Sequence, residues 1–144
     1  MELFQMPGHL IRRLHQQSTH IFLRRTQEAG YDITPVQFAA LEAIHHHPGA
    51  DQAHIAERIG YDRATIGGVI ERMEKKNWVV RMVSSRDRRS RELSLAPEGE
   101  RIRVHLLPIV RNIQEEILMP LAPRHRSNFL KWAQELVVSE QDQP

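Results

Sequence analysis

Apolar residues recur every three or four positions in the first third of the chain, and this spacing predicts two amphipathic helices. The first covers residues 7–29 and ends at Gly30, since glycine commonly terminates helices. The second begins at Pro35, because Thr34 and Gln37 have the spacing of a capping box around that position. Each helix therefore has an apolar face and a residue pattern that marks one of its ends.

The last third of the chain has the same period and predicts two more helices. One covers residues 98–118 and contains Pro108, where we expect a kink or an irregular turn. The other covers residues 124–138. The two chain ends, residues 1–6 and 139–144, lack this pattern and are expected to be loosely ordered.

Between these regions lies a segment in which the spacing of the apolar residues changes twice. Residues 51–59 have a short helical pattern, which breaks at Gly60. Asp62 then stands at the position of an N-cap, and a second polar helix with one apolar stripe follows it. The stripe is formed by Ile66, Val69, Ile70 and Met73.

After Asn77 the period drops to two and the residues favour β-structure. Residues 78–83 and 91–95 predict two short strands, which a polar, arginine-rich tip (84–90) joins as a hairpin. Two short helices, a turn and a following hairpin form a winged helix-turn-helix, an element that reads DNA. The predicted fold class is therefore mainly α with a small β-wing, in which terminal helices flank a winged-helix head (residues 32–96).

The positive charge of the chain is concentrated in this head. The whole chain has 20 Lys and Arg against 18 Asp and Glu, a net charge of +2. From Arg58 to Arg91 there are ten basic and four acidic residues, so this segment carries +6 and the remainder −4. Four arginines lie within six residues at the hairpin tip, where no core requires them. We expect this surface to bind DNA phosphates rather than to be only a solvated basic face.

The composition of the chain further narrows the class of protein to which it can belong. A chain of 144 residues is one domain of ordinary size. It has no cysteine, which excludes disulfides, thiol redox sensing and cysteine-ligated zinc. No apolar run approaches the roughly 20 residues that span a bilayer, and the first residues do not have the layout of a secretion signal. We expect a cytoplasmic protein without a membrane partner.

The sequence contains no paired acid and base, nucleophile motif or phosphate-binding loop, so we expect neither an enzyme nor a cofactor. The run His45-His46-His47 suggests a metal site, but consecutive helical residues point in different directions. A solvated helix end is the preferred interpretation. A metal-dependent enzyme and a metal-responsive regulator are the alternatives, and a metal-content measurement tests both.

The helices outside the head, residues 7–30 and 98–138, are more apolar than a lone head requires. We therefore expect them to form a homodimer that holds two heads at a fixed spacing on a two-fold DNA site. An architectural DNA-binding protein that reads only shape is the alternative. It predicts a steep dependence of binding on salt and little sequence preference.

Several segments resemble the MarR family of bacterial transcriptional regulators. The matching segments are TPVQFAAL (34–41), IAERIGYDRATI (55–66), RMEKKNWVVR (72–81), DRR (87–89) and LSLAPEG (93–99). They stand in family order and spacing, and the match extends over nearly the whole chain. The resemblance implies a triangular homodimer, joined through its N- and C-terminal helices, that binds a near-palindromic operator in double-stranded DNA.

Most members of this family are repressors that a small molecule releases from DNA, often an aromatic acid or a phenol. Others sense oxidants through cysteine, which this chain lacks. The run DRATIGGV (62–69) also resembles a subgroup tied to the breakdown of aromatic and heteroaromatic carboxylates such as nicotinate derivatives. The resemblance thus implies a repressor whose effector is an aromatic or heteroaromatic carboxylate.

The first turns of the second helix of the motif are expected to enter the major groove. The candidate DNA-contacting residues there are Arg63, Ala64, Thr65, Gly67 and Gly68. The alternative for Thr65 is local capping of the helix. Arg72, two turns further on, is expected to meet a phosphate or a neighbouring glutamate rather than a base.

Gly67 and Gly68 depart from the family pattern, in which a larger polar residue often stands. Two glycines inside a helix cost roughly 1 kcal/mol each relative to alanine, so their presence needs a reason. Close packing against a neighbour and close approach to base edges are the two explanations, and we expect one glycine to face each way. Gln52 and His54, at the start of the preceding helix, are either phosphate donors or ordinary surface residues.

At the wing, Asp87 and Arg89 have the spacing of the family's Asp-x-Arg motif. The resemblance implies that the aspartate supports the arginine and that the arginine enters the minor groove, where narrow A·T tracts attract it. Arg86 and Arg88 are expected to contact phosphates. The alternative is an Asp87 ion pair that only shapes the tip.

The family's effector pocket lies between the dimer helices and the head. A carboxylate ligand requires an arginine and a hydrogen-bonding group at the edge of an apolar cleft. On the first helix Arg13, His15 and Ser18 flank the apolar stripe, with His9 and Thr19 nearby. These five residues are the candidate effector contacts, and the polar border of an ordinary dimer interface is the alternative.

Overall fold

The computed structural model describes residues 1–141 and the side chains of residues 1–137. A 3₁₀ helix (Glu2–Gln5) precedes the main elements. These are α1 (Pro7–Glu28), α2 (Pro35–His46), α3 (Gln52–Ile59), α4 (Ile66–Lys75), β1 (Val79–Val83), β2 (Arg91–Leu95), α5 (Pro97–Leu118) and α6 (Pro123–Gln141). The two strands pair antiparallel as a single hairpin. The predicted fold class, mainly α with a small β-wing, is confirmed.

Two predictions for the ends of the chain are wrong. Residues 2–5 form a 3₁₀ helix, because the amides of Phe4 and Met6 bond the carbonyls of Met1 and Leu3. Helix α6 continues through residues 139–141, while residues 142–144 of the predicted frayed end lie outside the described part. Helix α5 contains Pro108, whose side chain is exposed, and continues on both sides of it. The kink expected at Pro108 stays a prediction.

The capping box that begins α2 is confirmed. The Gln37 amide N–H donates to Thr34 Oγ1 at 3.2 Å, and the Thr34 amide N–H donates to Gln37 Oε1 at 3.0 Å. Each side chain therefore satisfies a backbone donor that the helix cannot satisfy itself. Pro35 occupies the first helical position, where its missing N–H costs no hydrogen bond. This end of α2 is thus determined by local sequence.

One hydrophobic core joins the head to α5. Helices α2, α3 and α4 bury their apolar stripes against one another and against the inner face of the hairpin. The fully buried side chains include Leu41, Ile44, Ile55, Ile70, Leu93 and Leu106. Because Leu106 belongs to α5, the first half of that helix is part of the head's core. The head and the first half of α5 therefore share one packed core.

A buried arginine reinforces the joint between α2 and α5. The Arg103 guanidinium donates two hydrogen bonds to Glu100, at 2.7 and 3.1 Å, and one to Glu42 at 3.0 Å. The Arg103 side chain is only 11% exposed. Hydrogen bonds from Arg103 lower the pKa of Glu100, and His45 contributes from 3.0 Å on the other side. The joint is thus a charged cluster at the edge of the core.

The wing is attached to α5 through a glycine. The register pairs Val79 with Leu95, and the Ala96 amide N–H donates to the Trp78 carbonyl oxygen at 2.9 Å. A Cβ atom at Gly99 would lie 2.0 Å from the same carbonyl oxygen. Only a residue without a side chain therefore allows α5 to begin against the base of the wing.

The terminal helices expose much of their apolar surface. In the first half of α1, Leu10, Ile11 and Leu14 are 44–56% exposed. In α6, no side chain up to Val137 is buried, and Leu130 and Trp132 are 52% and 58% exposed. These side chains have helical spacing, but the described part of the chain leaves them largely uncovered.

Candidate nucleic-acid interface

The helix-turn-helix is formed by α3, a turn and α4, and its second helix starts later than predicted. Helix α4 begins at Ile66, so Arg63, Ala64 and Thr65 lie in the turn before it rather than in its first turns. The cause is Asp62. Its carboxylate accepts the Ala64 amide N–H at 3.2 Å and closes a turn before the regular helix begins.

Thr65 is held by the same aspartate. Its hydroxyl donates to the Asp62 carbonyl oxygen at 3.2 Å and lies 3.4 Å from the Asp62 carboxylate. The helix-capping alternative for Thr65 does not hold, because its side chain makes no cap hydrogen bond. Arg63, Ala64 and Thr65 are all exposed and stand at the N-terminal end of α4.

Gly67 and Gly68 are not required by packing within this chain. A Cβ at Gly67 would meet only the Gln52 amide nitrogen, at 3.7 Å, which is ordinary contact. A Cβ at Gly68 would meet only the Arg72 guanidinium, also at 3.7 Å. The close-packing explanation is therefore wrong, since neither glycine faces a packed neighbour. Both leave a strip of backbone without side chains on the outer surface of α4.

The wing tip is closed by short polar hydrogen bonds. Ser84 Oγ accepts the amide N–H groups of Arg86 and Asp87 and lies 3.1 Å from the Glu92 carboxylate. The Asp87 carboxylate accepts the Arg89 backbone N–H at 2.9 Å. The aspartate therefore supports the arginine through its backbone. The Asp87 ion-pair alternative has no counterpart among the described side chains.

The basic residues of the head divide into two groups. Five bind protein groups: Arg58, Lys75, Lys76, Arg81 and Arg91 each contact a neighbouring side chain or carbonyl. Five have exposed side chains without a hydrogen-bond or ion-pair partner among the described residues: Arg63, Arg72, Arg86, Arg88 and Arg89. The second group coincides with the arginines that the sequence assigned to DNA.

Arg81 belongs to the first group and was not singled out from the sequence. Its Nη1 donates to Gln52 Oε1 at 2.6 Å and its Nε donates to Glu74 Oε2 at 3.2 Å. The side chain thus connects β1 with α3 and α4. The available signal was its register: Arg81 lies opposite the fully buried Leu93, on the inner face of the wing.

The three consecutive histidines contact different partners. His45 pairs with Glu100, and His46 lies 3.6 Å from Glu42. The His47 ring packs edge-on against His54, with ring centroids 5.6 Å apart, and burial lowers its pKa. Within the described residues no group of three or more His, Cys, Asp and Glu side chains is arranged to hold a metal ion.

The five candidate effector residues lie on the first half of α1. Arg13 and His15 are exposed, and neither side chain has a partner among the described residues. The Ser18 hydroxyl donates to the His15 carbonyl oxygen at 3.0 Å, and His9 packs edge-on against Phe4. Thr19 is half-buried. The structure thus places these residues on one helix segment without enclosing a pocket around them.

Two clefts lie between α1 and α5, and other residues line them. One, of about 630 Å³, includes Arg25, Glu28, Ile109, Asn112, Ile113 and Glu116. The second, of about 440 Å³, includes Leu14, His20, Ile21 and Ile117. Glu116 borders both and binds Arg24 and Arg25 at 2.5 and 2.7 Å. Hydrogen bonds from Arg25 lower the pKa of Glu116, so both groups are charged and form an ion pair with each other.

The fold and this surface define a winged-helix DNA-binding protein. Comparison with known proteins identifies its family: residues 31–90 match the MarR family. Transcriptional regulator HosA of Escherichia coli O157:H7 is 31% identical over 95% of this chain and 98% of its own. The chain therefore belongs to the MarR family of transcriptional regulators, whose members bind DNA as dimers.

Solved structures agree with this assignment. The PcaV transcriptional regulator from Streptomyces coelicolor in complex with its natural ligand has a TM-score of 0.87, at 29% identity over 97% of each chain. The transcriptional repressor CouR, bound to a 23-mer DNA duplex, has a TM-score of 0.81, at 26% identity over 95% of each chain. In the described part of this chain, no helix combines the length and apolar character that crossing a membrane requires.

Proposed function

We propose that this protein is a homodimeric repressor that binds a near-palindromic operator and is released by a small aromatic or heteroaromatic carboxylate. DNA binding is supported by five exposed arginines that have no protein partner among the described residues: Arg63, Arg72, Arg86, Arg88 and Arg89. Charged side chains that form no internal pairs are available for phosphates and base edges. CouR, which is a repressor seen on DNA, supports the same assignment.

Within this proposal the DNA-contacting residues divide by groove. Arg63, Ala64, Thr65 and the bare strip at Gly67 and Gly68 face the major groove at the start of α4. Arg89 enters the minor groove, and Asp87 fixes the backbone from which it extends. The remaining arginines, Arg72, Arg86 and Arg88, contact phosphates.

The dimer is formed by the helices outside the head, residues 7–30 and 98–138. The exposed apolar side chains of α1 and α6 support this division, because patches of this kind mark protein interfaces. A second copy of the chain would cover them and would hold two heads at a fixed distance. Two-fold symmetry then requires an operator with two related half-sites.

The effector is proposed to bind where α1 meets the partner subunit, beside Arg13 and His15, with His9, Ser18 and Thr19 at its edge. A carboxylate needs an arginine that is not already neutralised. Arg13 meets this condition, whereas Arg24 and Arg25 are paired with Glu116. PcaV, which was solved with its natural ligand, supports a ligand-responsive regulator.

A release experiment tests the proposal. A duplex selected by the wild-type protein from a random library is titrated by fluorescence anisotropy, with and without a panel of aromatic and heteroaromatic acids. We expect at least one acid to raise the Kd for DNA by about 5- to 150-fold, the usual range of allosteric coupling. Arg13→Gln should weaken that response while Arg111→Gln, at an exposed position of α5, preserves it. If no acid in the panel raises the Kd, the proposed release by a carboxylate is wrong, while the proposed binding to DNA is unaffected.

A further inference from the structure

Gln52, the first residue of α3, is held in one orientation by an arginine of the wing. Its Oε1 accepts a hydrogen bond from Arg81 Nη1 at 2.6 Å. An arginine can only donate, so the carbonyl end of the Gln52 amide must face Arg81. The NH₂ end then points away from the wing.

The NH₂ end of Gln52 faces the bare strip of α4. A Cβ atom at Gly67 would lie 3.7 Å from Gln52 Nε2, which places this donor beside the backbone of the recognition helix. Within the described part of the chain, no group accepts a hydrogen bond from Nε2. The nitrogen is also not among the buried side-chain atoms that lack a partner. It is therefore a solvent-accessible donor at the edge of the proposed DNA-binding surface.

Arg81 is in turn fixed from a second side. Its side chain is 24% exposed, and its Nε donates to Glu74 near the end of α4. A flexible arginine would allow the Gln52 amide to rotate, whereas one bonded to both α3 and α4 does not. Three elements of the head thus cooperate to orient one amide.

We propose that Gln52 is a further DNA-contacting residue, whose NH₂ group donates to a backbone phosphate beside Gly67, and that Arg81 is the residue that positions it. This inference rests on the proposed role of α4 as the recognition helix. It also explains the glycine at position 67. A long side chain there would cover the donor and hold the phosphate away.

The substitution Gln52→Glu separates DNA contact from bracing. A glutamate retains an acceptor for Arg81, so the brace and the melting temperature are preserved. It removes the donor and places a negative charge beside the phosphate. We expect the Kd for a duplex selected by the wild type to rise at least about tenfold, which is the effect of losing a hydrogen bond to a charged group. Gln27→Glu, at an exposed position of α1, is the charge-matched control and should bind normally.

A double-mutant cycle tests the role of Arg81. Arg81→Met frees the amide, and Gln52→Met removes it. If Arg81 acts through Gln52, the double variant binds DNA no more weakly than Gln52→Met alone. Additive losses would overturn the positioning role. Circular dichroism spectra verify that each variant is folded at the titration temperature.

The result that overturns the inference is a Gln52→Glu affinity within twofold of the wild type. Arg89→Ala, titrated in parallel, separates this failure from a failure of the proposed function. If Arg89→Ala loses affinity and Gln52→Glu does not, only the role of Gln52 is wrong. If neither loses affinity, the assignment of the whole head surface to DNA is wrong.

Discussion

The winged-helix head and the terminal helices place their apolar residues differently. In the head, Leu41, Ile55 and Ile70 are completely buried by neighbours from the same chain. In α1 and α6, Leu10, Leu14 and Trp132 have the same helical spacing but remain about half exposed. The head is therefore complete as a single copy. The terminal helices leave apolar side chains that the described residues do not cover, and the proposed dimer would bury them.

Arginines also differ between two regions of the molecule, in whether acidic side chains of the same chain surround them. In the joint between head and α5, Arg103 is enclosed by Glu42 and Glu100. On the outer surface of the head, Arg63 and Arg89 have no such partners among the described residues. Internal arginines therefore contribute to architecture, whereas the external ones are available to a polyanion.

Gly99→Ala is expected to disrupt the attachment of the wing to α5. The added Cβ would lie 2.0 Å from the Trp78 carbonyl oxygen, so the backbone of α5 or of Trp78 has to shift to make room for it. We expect the free energy of unfolding to fall by roughly 3 kcal/mol, at the upper end for overpacking. The melting temperature should fall by about 10 °C.

Gly68→Ala is the matched control for this prediction. It also adds one methyl group to a helical glycine of the head, but there only the mobile Arg72 guanidinium is near, at 3.7 Å. Its melting temperature should stay the same or rise, since alanine favours the helix by about 1 kcal/mol. Equal destabilisation by both variants would contradict the tight contact at Gly99.

The double substitution Leu10→Gln and Leu14→Gln is expected to weaken the dimer. The two side chains lie on one face of α1 and are already exposed in the single chain, so the fold of each subunit should survive. Losing such interface anchors should raise the dimer dissociation constant roughly 30-fold, or about 2 kcal/mol. Sedimentation velocity over a range of concentrations measures this. Arg12→Gln, on a different face of α1, is the control, and an unchanged dissociation constant would argue against this interface.

Arg103→Met is expected to reduce the free energy of unfolding by about 1–2 kcal/mol. This loss of stability lies between that expected for an ion pair on the surface and that expected for a fully buried ion pair, because Glu42 and Glu100 are partly exposed. Arg101→Met is the matched control: it removes an exposed pair with Glu98, three residues away, and should change stability by less than about 0.5 kcal/mol.

The effect of Arg103→Met should also depend on pH. The pKa of Glu100 is below its ordinary value, chiefly through hydrogen bonds from Arg103. This pair therefore stabilises the fold above the unfolded pKa of a glutamate, and its contribution is lost as the pH falls through the folded pKa. Urea unfolding at neutral pH and at about pH 3.5 measures this. The difference between variant and wild type should shrink in acid, and a constant difference would mean that the charge of Glu100 is not involved.

The parts of the fold that the sequence predicted are those with local signals. The capping box at Thr34 and Gln37, the glycine turn at Gly60 and the two strands depend on residues close in sequence. The start of α4 was misplaced because the Asp62 side chain can close a turn as well as cap a helix. Both local structures use the same Asp62 side chain, so the sequence pattern alone does not distinguish them.

The features that the sequence did not predict depend on distant contacts. Arg81 meets Gln52 across 29 positions, and Gly99 meets the carbonyl oxygen of Trp78 across a hairpin. No local pattern specifies either pair. The arginines proposed to contact DNA could be proposed from the sequence, because they cluster at positions where no core requires them. The candidate effector residues of α1 are not enclosed by the described residues, so their role stays a prediction.

The affinity of Arg89→Ala for the selected duplex tests the central claim most directly, namely that an unpaired arginine surface of the head reads DNA in a dimer. We expect its Kd, measured by anisotropy at moderate salt, to rise at least about tenfold, while sedimentation shows an intact dimer. Arg111→Ala, an exposed position of α5 outside the head, should bind as the wild type does. An Arg89→Ala protein that binds the duplex with unchanged affinity would contradict the account.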